Sequence, residues 1–87
     1  HRLNVYRNCI ELFELIMADD LAFKNSKEFI VAELQRTEDI FDTYRLDTTY
    51  HNLKFVFKYL ELLFFFKDQQ FEKVDEKVAS KVARFVH

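Results

Sequence analysis

Residues 53–66, LKFVFKYLELLFFF, form the most apolar stretch of this sequence, and the fold depends on how such a stretch can be buried. Eleven of its fourteen residues are apolar or aromatic. The other three, Lys54, Lys58 and Glu61, stand at i, i+4 and i+7, so on a helix they form one narrow polar stripe. The remaining apolar arc of roughly 220° is about twice what a surface helix needs to face a core. We therefore expect this helix to be gripped from two or three sides, with the other segments as its packing partners.

The composition points to one helical domain spanning residues 1–87. Hydrophobic residues make up 49% of the chain and charged residues 32%, as in globular proteins. The chain contains no Gly and no Pro. Primed hairpin turns need positive φ, which Gly supplies without steric cost, so a chain of β-hairpins is disfavoured. The sequence therefore predicts an all-α fold and, because it does not begin with Met, a domain excised from a longer protein.

Helices are predicted at about 3–18, 26–44, 48–67 and 69–86, where apolar residues recur at the spacing of an amphipathic helix. The second helix is expected to begin after Asn25, because Asn25 and Glu28 have the spacing of a capping box. Residues 19–24 then form a connector from which Leu21 and Phe23 turn back onto the core. The predicted apolar faces are Tyr6, Cys9, Ile10, Phe13, Ile16 and Met17 in the first helix, Ile30, Leu34, Phe41 and Tyr44 with Thr37 in line in the second, and Phe71, Val74, Val78, Val82 and Phe85 in the fourth.

The connectors between these segments are short, and short links make sequential helices antiparallel neighbours. The sequence thus predicts a four-helix antiparallel bundle or two stacked αα-hairpins. Residues 67–70, KDQQ, contain no helix breaker, so the third and fourth helices could also be continuous. Asp68 can cap a new helix, which favours a turn at this point.

No pattern in the sequence indicates catalysis, a metal site or a cofactor. Asp47 and His51 are four residues apart at a helix start, but no third ligand stands at a defined spacing, so we interpret them as a cap and a solvated histidine. The single cysteine, Cys9, cannot form an internal disulfide, and a reduced thiol favours an intracellular compartment, cytoplasm or nucleus. We predict a protein that is not an enzyme.

The surplus of apolar and aromatic residues predicts a protein–protein interaction module, for docking as a scaffold or for self-association. Phe65 falls on the polar stripe of the third helix, Tyr50 continues that side, and Leu15 is a similar misfit on the first helix. An exposed Phe65 would be an anchor for a partner, whereas in a helix enclosed on all sides it would be core, and the sequence leaves both open. The expected partner is a helix or peptide of another protein, or a second copy in a homodimer. The predicted partner-binding face comprises Tyr50, Lys54, Lys58, Glu61, Phe65 and Leu15.

A basic stripe on the fourth helix supports an alternative function. Lys73, Lys77, Lys81 and Arg84 align along one side and would suit an anionic ligand, either acidic lipid or a nucleic-acid backbone. The net charge of −2 and the lack of aromatic residues among the lysines argue against nucleic acid. The sequence has no apolar run of the roughly eighteen residues that a membrane span requires, so no transmembrane segment is predicted.

Overall fold

The structure is a computed structural model that describes residues 2–43, 48–69, 80, 83 and 84, with side chains described for all of these except 2, 3 and 48–50. Its described helices are α1 (Arg2–Ile16), α2 (Asp20–Thr43) and α3 (Thr48–Asp68). The described residues contain no strand, which confirms the all-α prediction. Three helices do not support the predicted four-helix bundle. The fourth predicted helix, about 69–86, lies outside the described residues except for Gln69, Ser80, Ala83 and Arg84.

The three helices run up, down and up. The first turn of α2 lies beside the end of α3, where Asp20 Oδ1 is 3.8 Å from Lys67 Nζ, and Glu38 near the other end of α2 meets Lys58. Lys67 also donates a hydrogen bond to the carbonyl of Ala18, so α1 and α3 end on the same side of the bundle. α1 packs along both of the other helices, whereas α2 and α3 contact each other less extensively. A groove is therefore left open between α2 and α3.

The core lies where the three helices meet and is almost wholly apolar. The stretch of α3 singled out from the sequence supplies four completely buried residues, as expected from its apolar arc. The rings of Phe41 and Phe57 pack with centroids 5.4 Å apart, a contact that adds about 0.5–1.5 kcal/mol to the burial of the rings themselves. The buried apolar residues are Val5, Cys9, Leu12, Phe13 and Ile16 of α1, Phe23, Ile30, Leu34 and Phe41 of α2, and Val56, Phe57, Leu60 and Leu63 of α3.

The second helix begins six residues earlier than the capping-box pattern predicts. Asp19 precedes it and acts as the N-cap, since its Oδ1 accepts a hydrogen bond of 2.9 Å from the backbone N–H of Ala22. Asn25 consequently lies exposed inside the helix, and the prediction of a start after Asn25 is wrong. The longer helix places Phe23 in line with Ile30, where it is buried, but turns Leu21 outward, with 70% of its surface exposed. Leu21 does not turn back onto the core as predicted.

The apolar face of α1 is centred differently from the predicted one. Val5 and Leu12 are buried although neither was placed on that face, while Met17 is exposed because the helix ends at Ile16. Asn8, which is not on the predicted apolar face, is half-buried and donates a hydrogen bond to the hydroxyl of Thr37 in α2. α1 contacts two helices at once, and its buried arc is correspondingly broad.

Among the described residues, α3 is covered on two sides, by α1 and α2. Its most exposed sector is not the predicted polar stripe, because Lys54 and Glu61 are half-buried where they face α2. The sector most open to solvent contains Phe55 and Leu62, seven residues apart and thus on one face, with Lys58 and Phe65 beside them. Apolar surface that the sequence predicted to be buried is exposed here.

Candidate functional site

An open groove of about 400 Å³ runs between α2 and α3. Its volume is within the range of about 300–1,000 Å³ that is typical of ligand sites. The groove has an apolar part at one end and a polar part at the other. Its lining residues are Val31, Leu34, Gln35 and Glu38 from α2, and Glu61, Phe64 and Phe65 from α3.

The apolar part consists of two nearly buried residues between two exposed ones. Leu34 is only 8% exposed and Phe64 is half-buried, so these two form the floor. Val31 and Phe65, exposed by 49% and 53%, form the two rims. On α2, Val31 lies about 100° around the helix from the buried Ile30, which turns it toward α3. An apolar side chain entering between the rims would be enclosed on three sides.

The polar end is built around the Lys58 ammonium. Lys58 Nζ lies 3.1 Å from Glu61 Oε1 and 3.5 Å from Glu38 Oε1, so one cation is shared by two carboxylates on different helices. Glu61 Oε1 is inaccessible to solvent, and the contact with Lys58 gives this buried oxygen its charged neighbour. The contact with Glu61, followed by the negative charges of Glu61 and Glu38, raises the pKa of the Lys58 ammonium. This end of the groove thus holds one more negative charge than positive charge.

The structure brings three residues of the predicted partner-binding face to this groove and leaves the others elsewhere. Glu61 and Phe65 line it, and Lys58 bridges its polar end. Lys54 lies one turn of α3 further on, with its Nζ 3.9 Å from Asp42 Oδ1. Leu15, on α1, packs half-buried against the core. Tyr50 belongs to α3, but its side chain lies outside the described residues.

Phe65 is thus exposed, one of the two alternatives that the sequence left open. Its ring is 6.1 Å from the ring of Phe66, in an edge-to-face arrangement. With 53% of its surface exposed, Phe65 is not a core residue, and its role as an anchor stays a prediction.

Five residues that line the groove were not predicted as site residues: Val31, Leu34, Gln35, Glu38 and Phe64. Val31 could have been identified from the sequence, because it is an apolar residue beside the buried stripe of α2 and not on it. Phe64 and Leu34 could not, since each has the spacing of an ordinary core residue. These residues line the groove because of the relative position of α2 and α3. The helical periodicity of a single helix does not predict that position.

The alternative basic stripe is only marginally described. Arg84 is helical and exposed, whereas Lys73, Lys77 and Lys81 lie outside the described residues. Over the described part of the chain, no group of three His, Cys, Asp or Glu side chains could hold a metal ion. None of the helices described is long and apolar enough to cross a membrane.

Comparison with known proteins gives this chain no relatives: it matches no protein-family model, and no curated protein and no solved structure is significantly similar to it.

Proposed function

We propose that this domain is a non-catalytic docking module that binds an amphipathic helix in the groove between α2 and α3. The observation that carries the proposal is the pair of exposed apolar rims, Val31 and Phe65, over the apolar floor of Leu34 and Phe64. Contiguous exposed apolar surface at a groove is typical of a protein–protein interaction site, and aromatic residues are frequent among the anchors of such sites.

A helix is the partner that best fits the shape of this site. The groove lies between two antiparallel helices, and a further helix laid along it would insert apolar side chains between the rims at i, i+3 or i+4, and i+7. An extended peptide would need an exposed sheet edge for its backbone hydrogen bonds, and the described residues form no sheet. The proposed partner therefore presents one apolar face of a helix. We expect this protein to be intracellular, because a reduced thiol such as that of Cys9 is more common there.

The test is a matched pair of substitutions, Phe65→Asp in the groove and Phe55→Asp outside it. Both rings belong to α3 and are exposed to a similar degree, 53% and 57%, but Phe55 does not line the groove. The probe is a fluorescein-labelled amphipathic peptide with leucines at heptad spacing and glutamines elsewhere. We expect the wild type and Phe55→Asp to bind it, and Phe65→Asp to bind it at least about tenfold more weakly.

Thermal melting separates loss of binding from loss of fold. Because both rings are already half exposed, both variants should melt within a few degrees of the wild type. Phe57→Ala, by contrast, removes a fully buried ring and should cost about 3–5 kcal/mol of unfolding free energy. Equal binding by the two Asp variants, or a collapse of the fold in Phe65→Asp alone, would contradict the proposal.

Self-association is a second candidate, favoured by the exposed face of α3. Phe55 and Leu62 lie outside the groove, and a symmetric dimer would bury them against their copies in the partner. In this case sedimentation of the wild type would show a dimer at high concentration, and Phe55→Asp would restore the monomer. A wild type that stays monomeric at high concentration removes this candidate. Anionic-ligand binding through the basic stripe stays a prediction from the sequence.

A further inference from the structure

We propose that the helix bound in the α2–α3 groove is cationic at one end, with Lys or Arg residues placed against Glu38 and Glu61. The inference rests on the proposed function and adds the charge of the partner and its direction in the groove. Three observations carry it: the excess of negative charge at the polar end, the smaller excess at the apolar end, and the apolar recess that joins them.

The polar end has more carboxylates than cations. Residues 33–43 of α2 carry Glu33, Glu38, Asp39 and Asp42, and the facing part of α3 adds Glu61. The cations of the same region already have partners, since Arg36 pairs with Glu33, Lys54 with Asp42, and Lys58 with both Glu38 and Glu61. This region therefore has five carboxylates and three cations. The uncompensated charge includes one of the two glutamates that line the groove.

The other end of the groove has a smaller excess of negative charge. There Lys27 pairs with Asp68, and Lys67 lies beside Asp20. Lys24 and Glu28 offset each other in charge, so the N-cap Asp19 leaves one excess carboxylate at this end, against two at the polar end. The potential along the groove therefore becomes more negative from the Val31 end toward Glu38. A bound helix with its cations at one end would be held in one direction by this gradient.

A second copy of this chain is a poorer occupant. Two copies of this chain, each with a net charge of −2, repel each other at long range. Like charges across an interface disfavour that pairing. The charge complementarity of the groove is toward a cationic helix of another protein.

The test compares two synthetic amphipathic peptides that share the same leucines and differ at two positions near one end, both Lys in one peptide and both Glu in the other. Binding is measured by fluorescence anisotropy. At about 50 mM salt we expect the Lys peptide to bind about tenfold more tightly than the Glu peptide. The Lys peptide gains two partly exposed ion pairs with the groove, whereas the Glu peptide is repelled at the same two positions. At about 500 mM salt the preference should shrink to about twofold or less.

Two double variants identify the carboxylates that cause the preference. Glu38→Gln with Glu61→Gln should bind both peptides but lose the preference for Lys. Glu11→Gln with Glu14→Gln makes the same change in net charge on the exposed side of α1 and should keep the preference for the Lys peptide.

Preference retained by the first double variant, or an equal or reversed preference in the wild type, overturns this inference and leaves the proposed function standing. Failure of both peptides to bind overturns the proposed function and this inference with it. Dimerisation of the protein that excludes both peptides also overturns the inference and identifies the second copy as the occupant.

Discussion

At the scale of single residues, one buried polar contact joins α1 to α2. Thr37 is fully buried; its hydroxyl donates to the carbonyl of Glu33 at 2.7 Å and accepts from Asn8 Nδ2 at 2.6 Å. Both polar groups are thus paired inside an otherwise apolar interface, which is the condition for tolerating them there. The contact also fixes the register of the two helices.

Thr37→Val should destabilise the fold more than Asn8→Ala. Valine keeps the shape of threonine but leaves the Asn8 amide without this acceptor, at a cost of about 1–2 kcal/mol of unfolding free energy. Asn8→Ala leaves the Thr37 hydroxyl bonded to Glu33 and gains up to about 0.7 kcal/mol of helix propensity, so it should be nearly neutral. Urea unfolding measures both. A larger loss for Asn8→Ala than for Thr37→Val would contradict the importance of the buried hydroxyl.

Cys9 gives the fold a dependence on alkaline pH. Burial raises the pKa of its thiol from 9.0 to about 12. Above about pH 9 the unfolded chain therefore loses this proton while the folded chain keeps it, and the free energy of unfolding falls by up to about 1.4 kcal/mol per pH unit. Below pH 9 the thiol has no such effect, since both states are protonated.

Cys9→Ala isolates this contribution. The variant should be less stable by about 1–2 kcal/mol near pH 8, because it loses buried sulfur, but the difference from the wild type should fall to about zero near pH 10 and reverse by about pH 11. Comparing the two proteins removes the titration of Tyr and Lys residues that both share. A difference that stays constant from pH 8 to 11 would show that the Cys9 thiol titrates alike in both states.

At the scale of elements, the start of α2 has two candidate N-caps, Asp19 and Asn25, and only Asp19 forms the capping hydrogen bond. Asp19→Ala removes the N-cap hydrogen bond to Ala22 and should cost about 1 kcal/mol. Asn25→Ala, at the position that the capping-box pattern favoured, should be neutral or slightly stabilising, because an exposed Asn within a helix is replaced by a better helix former. Chemical denaturation of the two variants tests this order, and the reverse order would place the helix start after Asn25.

How far the sequence predicts each element follows from the kind of signal it contains. Four residues of the predicted stripe of α2 are buried, Ile30, Leu34, Thr37 and Phe41, because their placement depends only on the helical period; the fifth, Tyr44, lies outside the described residues. The start of the helix was not, since both Asp19 and Asn25 are competent caps and tertiary packing of Phe23 decides between them. For α3 the period predicted which residues are apolar but not which sides have neighbours. Phe55 and Leu62 were therefore expected to be buried and are exposed.

At the scale of the whole molecule, the candidate site arises from the placement of α2 beside α3. Glu61 and Phe65 could be singled out because they interrupt or share the polar stripe of one helix. Val31 and Glu38 join them only because the helices are antiparallel and in the register fixed by the contacts of Lys58 and Lys67. The interaction function was predicted from the excess of aromatic residues, and we propose the groove as its location.

The most direct test of this account maps the contact of a cationic amphipathic peptide onto the folded protein by NMR. A titration of the ¹⁵N-labelled chain should give saturable shifts that cluster at Val31, Gln35, Glu38, Glu61 and Phe65, with the outer side of α1, at Arg7 and Glu11, unchanged. Shifts concentrated instead around Arg84, or on the outer side of α1, would contradict the claim that the α2–α3 groove is the binding site.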